Sequence, residues 1–182
     1  MRRLLLLIAV LLTILIGCQQ EPTGPADKVQ PEVRAGGAYR AALPWSPRTL
    51  DPAFSTDIYS VTLIQQIFDG LVQFDQNLNV VPALATSWKV SSDGLVYTFN
   101  LRSNANFHNG RQVTAEDFVY SFTRILDPKE ESSALSFFQR VKGAAAYRNG
   151  ESNEVEGLRA IDAYTLEITI NEPFAPFLSV LA

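Results

Sequence analysis

The stretch Trp88-Lys89-Val90-Ser91-Ser92-Asp93-Gly94-Leu95-Val96-Tyr97-Thr98-Phe99-Asn100-Leu101 alternates large apolar and polar side chains on both sides of a Ser-Asp-Gly turn. Successive side chains of an extended chain point to opposite sides, so Leu95, Tyr97, Phe99 and Leu101 share one face of a strand. Trp88 and Val90 share a face of the strand before it, and Ser92-Asp93-Gly94 turns the chain between them. An antiparallel hairpin with one apolar face is the expected structure. The pattern returns downstream, where Val155 to Ile161 and Tyr164 to Ile170 flank Asp162-Ala163 and Tyr164, Leu166, Ile168 and Ile170 fall on one face.

Between the hairpins the period changes to that of a helix. Thr114-Ala115-Glu116-Asp117 places a capping hydroxyl three residues before a carboxylate, and Phe118, Val119, Phe122, Ile125 and Leu126 follow at helical spacing until Pro128. Acidic groups in that first turn also suit the positive end of the helix dipole. Lys129 to Ser133 reads as a polar loop, Leu135 to Tyr147 as helix with a weak point at Gly143, and Asn149 to Asn153 as a turn. Upstream, Leu71 to Phe74 and Val80-Val81 read as two short strands around the polar turn Asp75-Gln76-Asn77-Leu78-Asn79. Ile58, Val61, Ile64, Ile67 and Phe68 recur at helical spacing with Gly70 as the stop. Ala38 to Leu43 is a strand candidate closed by Pro44, and Trp45 to Thr56 a loop with Pro47 and Pro52. At the other end, Phe174, Phe177, Leu178 and Leu181 open a further helix whose apolar face is expected to need a partner from outside these 182 residues, as in a truncated sequence.

The first residues carry a separate signal. Arg2-Arg3 precede an apolar run from Leu4 to Ile16 broken only by Thr13, and Gly17 precedes Cys18, the sole cysteine. Such a run spans about 20 Å as a helix, short of the ~30 Å hydrocarbon core, so it fits a cleaved export signal better than a membrane span. Leu15-Ile16-Gly17-Cys18 resembles the bacterial lipobox, which implies that residues 1–17 are removed and Cys18 carries the lipid that holds the protein at the membrane. Gln19 to Gly36, rich in proline, glycine and charge, reads as a flexible tether. A single cysteine excludes an intramolecular disulfide.

Charge and composition exclude several functions. Lys and Arg total 15 against 19 Asp and Glu, and loss of Arg2 and Arg3 with the signal takes the formal net charge from −4 to −6. That balance argues against nucleic acid as a partner. His108 is the only histidine, so neither a Ser/His/Asp nor a Cys/His centre can be assembled, and no catalytic residue is assigned. Asp75 to Asn79 imitates the start of a calcium loop without its central glycine and terminal glutamate, and reads as a turn. His108, beside Asn109-Gly110, reads as a solvated turn residue, so no metal and no cofactor are expected. A phosphate-cradling glycine loop is also missing from the sequence.

Several segments together carry a resemblance. They are Leu50-Asp51-Pro52, Phe68-Asp69-Gly70-Leu71, Pro82-Ala83-Leu84-Ala85 with Ser87-Trp88, Ser92-Asp93-Gly94 through Leu101-Arg102, Asn106-Phe107, Val113 through Ser121, and Ala160-Ile161-Asp162 with Tyr164 through Glu167. In this order, from Gly37 to Ala182, they resemble the oligopeptide and dipeptide binding proteins of ABC importers, the family 5 extracellular solute-binding proteins. Family members are much longer, and the likeness is to their N-terminal portion.

The resemblance implies an α/β fold, the periplasmic-binding-protein clamp of two lobes that close on a ligand by a hinge motion, with an α+β subdomain beside the first lobe. Residues 37–68 would open the first lobe, and 69–182 would form the extra subdomain, incomplete at its C-terminal end. It further implies ligand contacts from Thr56, Asp57 and Ile58, after Leu50-Asp51-Pro52, and from Ser133 and Ala134, after Asp127-Pro128. Asp57 reads rather more readily as the N-cap of the helix that starts at Ile58. Implied partners are a peptide or other small solute, ABC permease subunits with separate ATPase subunits, and the membrane through Cys18, around a protein that is itself a monomer. Relatives also bind nickel complexes, haem and sugars, which leaves the ligand class open. A ligand-presenting signalling or chaperone-like lipoprotein, and an enzyme with its catalytic residues elsewhere, are the other classes to weigh. The expected location is outside the cytoplasm, on the cell membrane or an outer membrane.

Overall fold

Strand alternation and local turns build the sheet. In the computed structural model, which describes residues 37, 38 and 40–182, β3 (Ala85–Val90) pairs with β4 (Val96–Leu101), as expected from the Trp88 to Leu101 pattern. The downstream hairpin joins β5 (Leu158–Asp162) to β6 (Thr165–Thr169), and β4 pairs with β6, giving the antiparallel order β3-β4-β6-β5. Tyr97 lies opposite Ile168 and Phe99 opposite Leu166, and all four side chains are buried. The other face carries Lys89, Thr98, Glu167 and Arg159 at matched positions, with Arg159 and Glu167 3.7 Å apart. One face is therefore solvated and one is core, the usual economy of an antiparallel sheet.

The core face is covered by α2 (Ala115–Leu126), which packs over β5 and β6. Its first turn is fixed as the sequence predicts: the Asp117 carboxylate accepts from Thr114 N–H (2.9 Å) and Thr114 Oγ (3.1 Å). Phe99, Leu126, Leu166, Ile168 and Phe177 are fully buried, each burial contributing roughly 1.5–3 kcal/mol. Upstream, β1 (Val72–Phe74) and β2 (Val80–Pro82) form the small second sheet around the Asp75 turn, whose Oδ1 accepts from Asn77 and Asn79 N–H. Residues 42–182 make one compact unit; Cys18, the signal and the whole tether lie outside the described residues.

Several boundaries differ from the expectations, each for a tertiary reason. No strand is present among the described residues of 37–44, where the chain is largely exposed and finds no ladder partner. Helix α1 (Ile58–Ile64) ends six residues before Gly70, in a turn where Ile67 and Phe68 N–H both donate to Ile64 O. Gly70 serves a close approach instead, because a Cβ there would lie 2.7 Å from Leu181 O.

The helix expected over 135–147 is two short ones, α3 (Leu135–Phe138) and α4 (Ala144–Arg148). Val141 between them bridges to Ile170, and Gly143 takes the left-handed backbone at φ 78°. Strand β5 begins at Leu158 rather than Val155, because Leu158 N–H turns back to Val155 O. The last helix, α5 (Phe177–Val180), does not leave its apolar side open: Phe177 packs edge-on against Tyr97, ring centroids 4.9 Å apart, and Leu181 O accepts from Val72 N–H.

Candidate functional site

Two loops that are far apart in sequence meet above the ends of α1 and α2. The first is the 3-10 turn Pro52–Phe54, which Asp51 caps by accepting from Ala53 N–H at 3.1 Å and which Pro52 starts with a preset φ. The second is the polar loop after Asp127-Pro128. Ala53 O accepts from Ser132 Oγ at 2.7 Å and from Ser133 N–H at 3.1 Å, while Ser133 Oγ lies 3.1 Å from Ser55 O. Thr56, Asp57 and Ile58 continue directly from the first loop, and Ser133 and Ala134 belong to the second. Thr56 and Asp57 thus lie on one loop and Ser133 and Ala134 on the other, the loops joined through Ala53 and Ser55, while Ile58 opens α1.

Their individual environments differ. Thr56 is exposed and its backbone makes no hydrogen bond among the described residues, and the chain at Ser55 and Asp57 is extended. Ile58 leaves 67% of its surface exposed. Asp57 acts as the N-cap: Oδ1 accepts from Tyr59 N–H (3.1 Å) and Ser60 N–H (2.9 Å), and Oδ2 from Ser60 Oγ (2.7 Å). The Ser60 bonds are the main reason its carboxyl is held below the usual value. Ser133 is exposed and Ala134 half-buried. Ser55 Oγ, at the junction of the loops, is buried with no hydrogen-bond partner among the described residues.

Three residues that hold this arrangement were not singled out in the sequence. Ser60 is fully buried, and its hydroxyl accepts from Arg48 and Thr49 N–H at 3.0 and 3.3 Å. Ser132 is buried and locks onto Ala53. Arg124, in the last turn of α2, grips Asp51 with both terminal guanidinium nitrogens, at 3.1 and 2.5 Å. This fork is the largest cause of the lowered Asp51 carboxyl pKa. Nothing local marks these residues, because their partners lie on other elements; only the pairing of a polar side chain with a helical position hints at Ser60 and Arg124.

An extended, exposed backbone beside an apolar side chain can take an extended peptide, the backbone groups giving affinity and side-chain pockets giving selectivity. Two grooves lie nearby, of about 640 and about 760 Å³. Neither is lined by Thr56, Asp57, Ile58 or Ser133; Ala134 lines the larger, together with Asp51, Arg124 and Phe138. The candidate site is the loop pair, where Thr56 is exposed with its backbone unbonded among the described residues. Among the described residues no cluster of His, Cys, Asp or Glu could hold a metal, and no helix is long and apolar enough to cross a membrane.

Residues 79–182 match the family described as bacterial extracellular solute-binding proteins, family 5 Middle. The chain is 38% identical over 140 residues to the periplasmic murein peptide-binding protein MppA of Escherichia coli K12, covering 75% of this chain and 26% of that protein. It is 36% identical over 137 residues to the dipeptide-binding protein DppE of Bacillus subtilis 168, covering 75% and 25%. The crystal structure of an oligopeptide ABC transporter substrate-binding domain from Bacillus anthracis Ames superposes with a TM-score of 0.69 at 36% identity, over 73% of this chain and 26% of that one. The chain spans about a quarter of the length of the curated relatives it matches.

Proposed function

The chain belongs to the family 5 bacterial extracellular solute-binding proteins, and from that premise we propose that it captures peptides outside the cytoplasm and delivers them to an ABC permease powered by separate ATPase subunits. The observation that carries this reading is the meeting of Ala53 and Ser55 with Ser132 and Ser133, next to which the chain continues into the exposed Thr56 and Ile58. The peptide names of its relatives support the ligand class. In this reading residues 37–68 open the first lobe, 69–182 form the subdomain beside it, and a hinge closes the lobes of the family-length protein over the solute. Cys18 carries the lipid and residues 19–36 the tether, so the clamp works beside its permease.

The test is calorimetry on the family-length protein with di- to pentapeptides, run beside nickel complexes, haem and sugars. Micromolar or tighter peptide binding is expected. No binding to any peptide in that series removes the peptide assignment. Mass spectrometry of the membrane fraction is expected to find diacylglycerol on Cys18; an unmodified thiol there removes the anchor.

A further inference from the structure

We propose that Arg124 is a positioning residue for solute binding: it fixes the 51–54 turn, and with it Thr56 to Ile58, against the Ser132–Ala134 loop. This rests on the reading that those two segments touch the solute. Arg124 meets three groups at once. Its guanidinium forks onto the Asp51 carboxylate, lies 5.2 Å from the centre of the Phe54 ring, and has Glu130 of the second loop at 4.0 Å. Asp51 uses Oδ1 twice, for Arg124 and for Ala53 N–H, so the orientation of the fork is passed directly to the turn.

Without that fork the bonds from Ser132 and Ser133 remain, and these reach the Ala53 and Ser55 carbonyls, both at the C-terminal side of the turn. The Asp51 side then loses its hydrogen bonds to α2, and the turn can rock about those two carbonyls. With the two-pronged carboxylate also held, it cannot. Ser55 is the only residue between the turn and Thr56, so little chain is available to absorb a pivot. The pair is also a third exposed and outside the β4–β6 core, which predicts a larger effect on binding than on global stability. Lysine supplies the charge but not the planar fork, and cannot replace it fully.

The experiment uses the family-length protein with Arg124→Met, Arg124→Lys and Asp51→Asn, the last keeping an acceptor for Ala53 N–H. Dissociation of a bound peptide from the calorimetric series is measured by stopped flow, and amide hydrogen exchange is followed by mass spectrometry. Arg124→Met is expected to speed dissociation about tenfold, the equivalent of 1.4 kcal/mol. Exchange should rise over residues 53–57 and stay unchanged in β4 and β6. Asp51→Asn should behave similarly, and Arg124→Lys should recover only part of the loss. Unchanged dissociation, full recovery with lysine, or a parallel rise of exchange in β4 and β6 each overturn the proposal, the last in favour of a general structural role. If the wild type binds no peptide, the peptide reading fails and the exchange pattern alone decides whether Arg124 positions the segment.

Discussion

Gly157 is a place where two backbones come too close for any side chain. A Cβ there would lie 2.5 Å from Thr169 O and 2.8 Å from Lys142 N, and the glycine itself donates to Lys142 O and accepts from Thr169 N–H. Gly157→Ala is therefore expected to cost roughly 1–3 kcal/mol, read as a lower urea midpoint; an unchanged midpoint would show that the 142 and 169 backbones can separate freely. Two carboxyls give a pH prediction. Asp51 and Asp117 are both held below the ordinary 3.8, chiefly by hydrogen bonds from Arg124 and Arg111. A depressed carboxyl contributes stability that is complete above its unfolded value and lost as pH falls through the folded one. Thermal midpoints should thus be flat above about pH 5 and decline below about pH 4, and the decline should shrink in Asp51→Asn. Neither Gly157 nor Arg124 was legible beforehand, since each owes its role to a partner on a distant element. Asp57 was half legible: its capping role could be read from the residue that follows, while its part in binding is a proposal.

At the scale of elements, α2 and the two central hairpins were readable because each is specified by its own residues. Period, turn and cap agree over a few positions, as at Ser92-Asp93-Gly94 and Thr114 to Asp117. The stretch 135–147 misled because its period is interrupted from outside: Val141 joins Ile170, and Lys142 N–H donates to Thr169 O, which no helix through these residues could permit. The same distinction predicts mutational behaviour. Asp117→Ala removes the bonds to Thr114 and the fork from Arg111, at 3.1 and 2.7 Å, and is expected to cost about 1 kcal/mol in chemical denaturation. Faster exchange should be confined to the first turn of α2, and a rise spread along the whole helix would refute this local account.

For the whole molecule, the proposed clamp needs two opposed surfaces, and the chain spans about a quarter of the length of its matched relatives. The 182-residue chain alone is expected to bind no peptide measurably in a titration where the family-length protein binds; micromolar binding by the short chain would contradict the clamp. The likeness to family 5 was readable from motifs such as Asp69-Gly70-Leu71 and Ala115 to Ser121, because these fix local structure. The loop meeting at Ala53 was not, since it depends on contacts between residues 79 and 80 positions apart. The order β3-β4-β6-β5 has one more implication, for the sequence of events in a newly made chain. A chain exported N-terminus first releases β4 long before β6, with all of α2, α3 and α4 in between. Until Thr169 emerges, the inner edge of β4 carries unpaired backbone groups beside exposed Tyr97 and Phe99, an open template for wrong partners. Acquisition of this unit is thereby committed to its last third, and a holding chaperone would act in that interval.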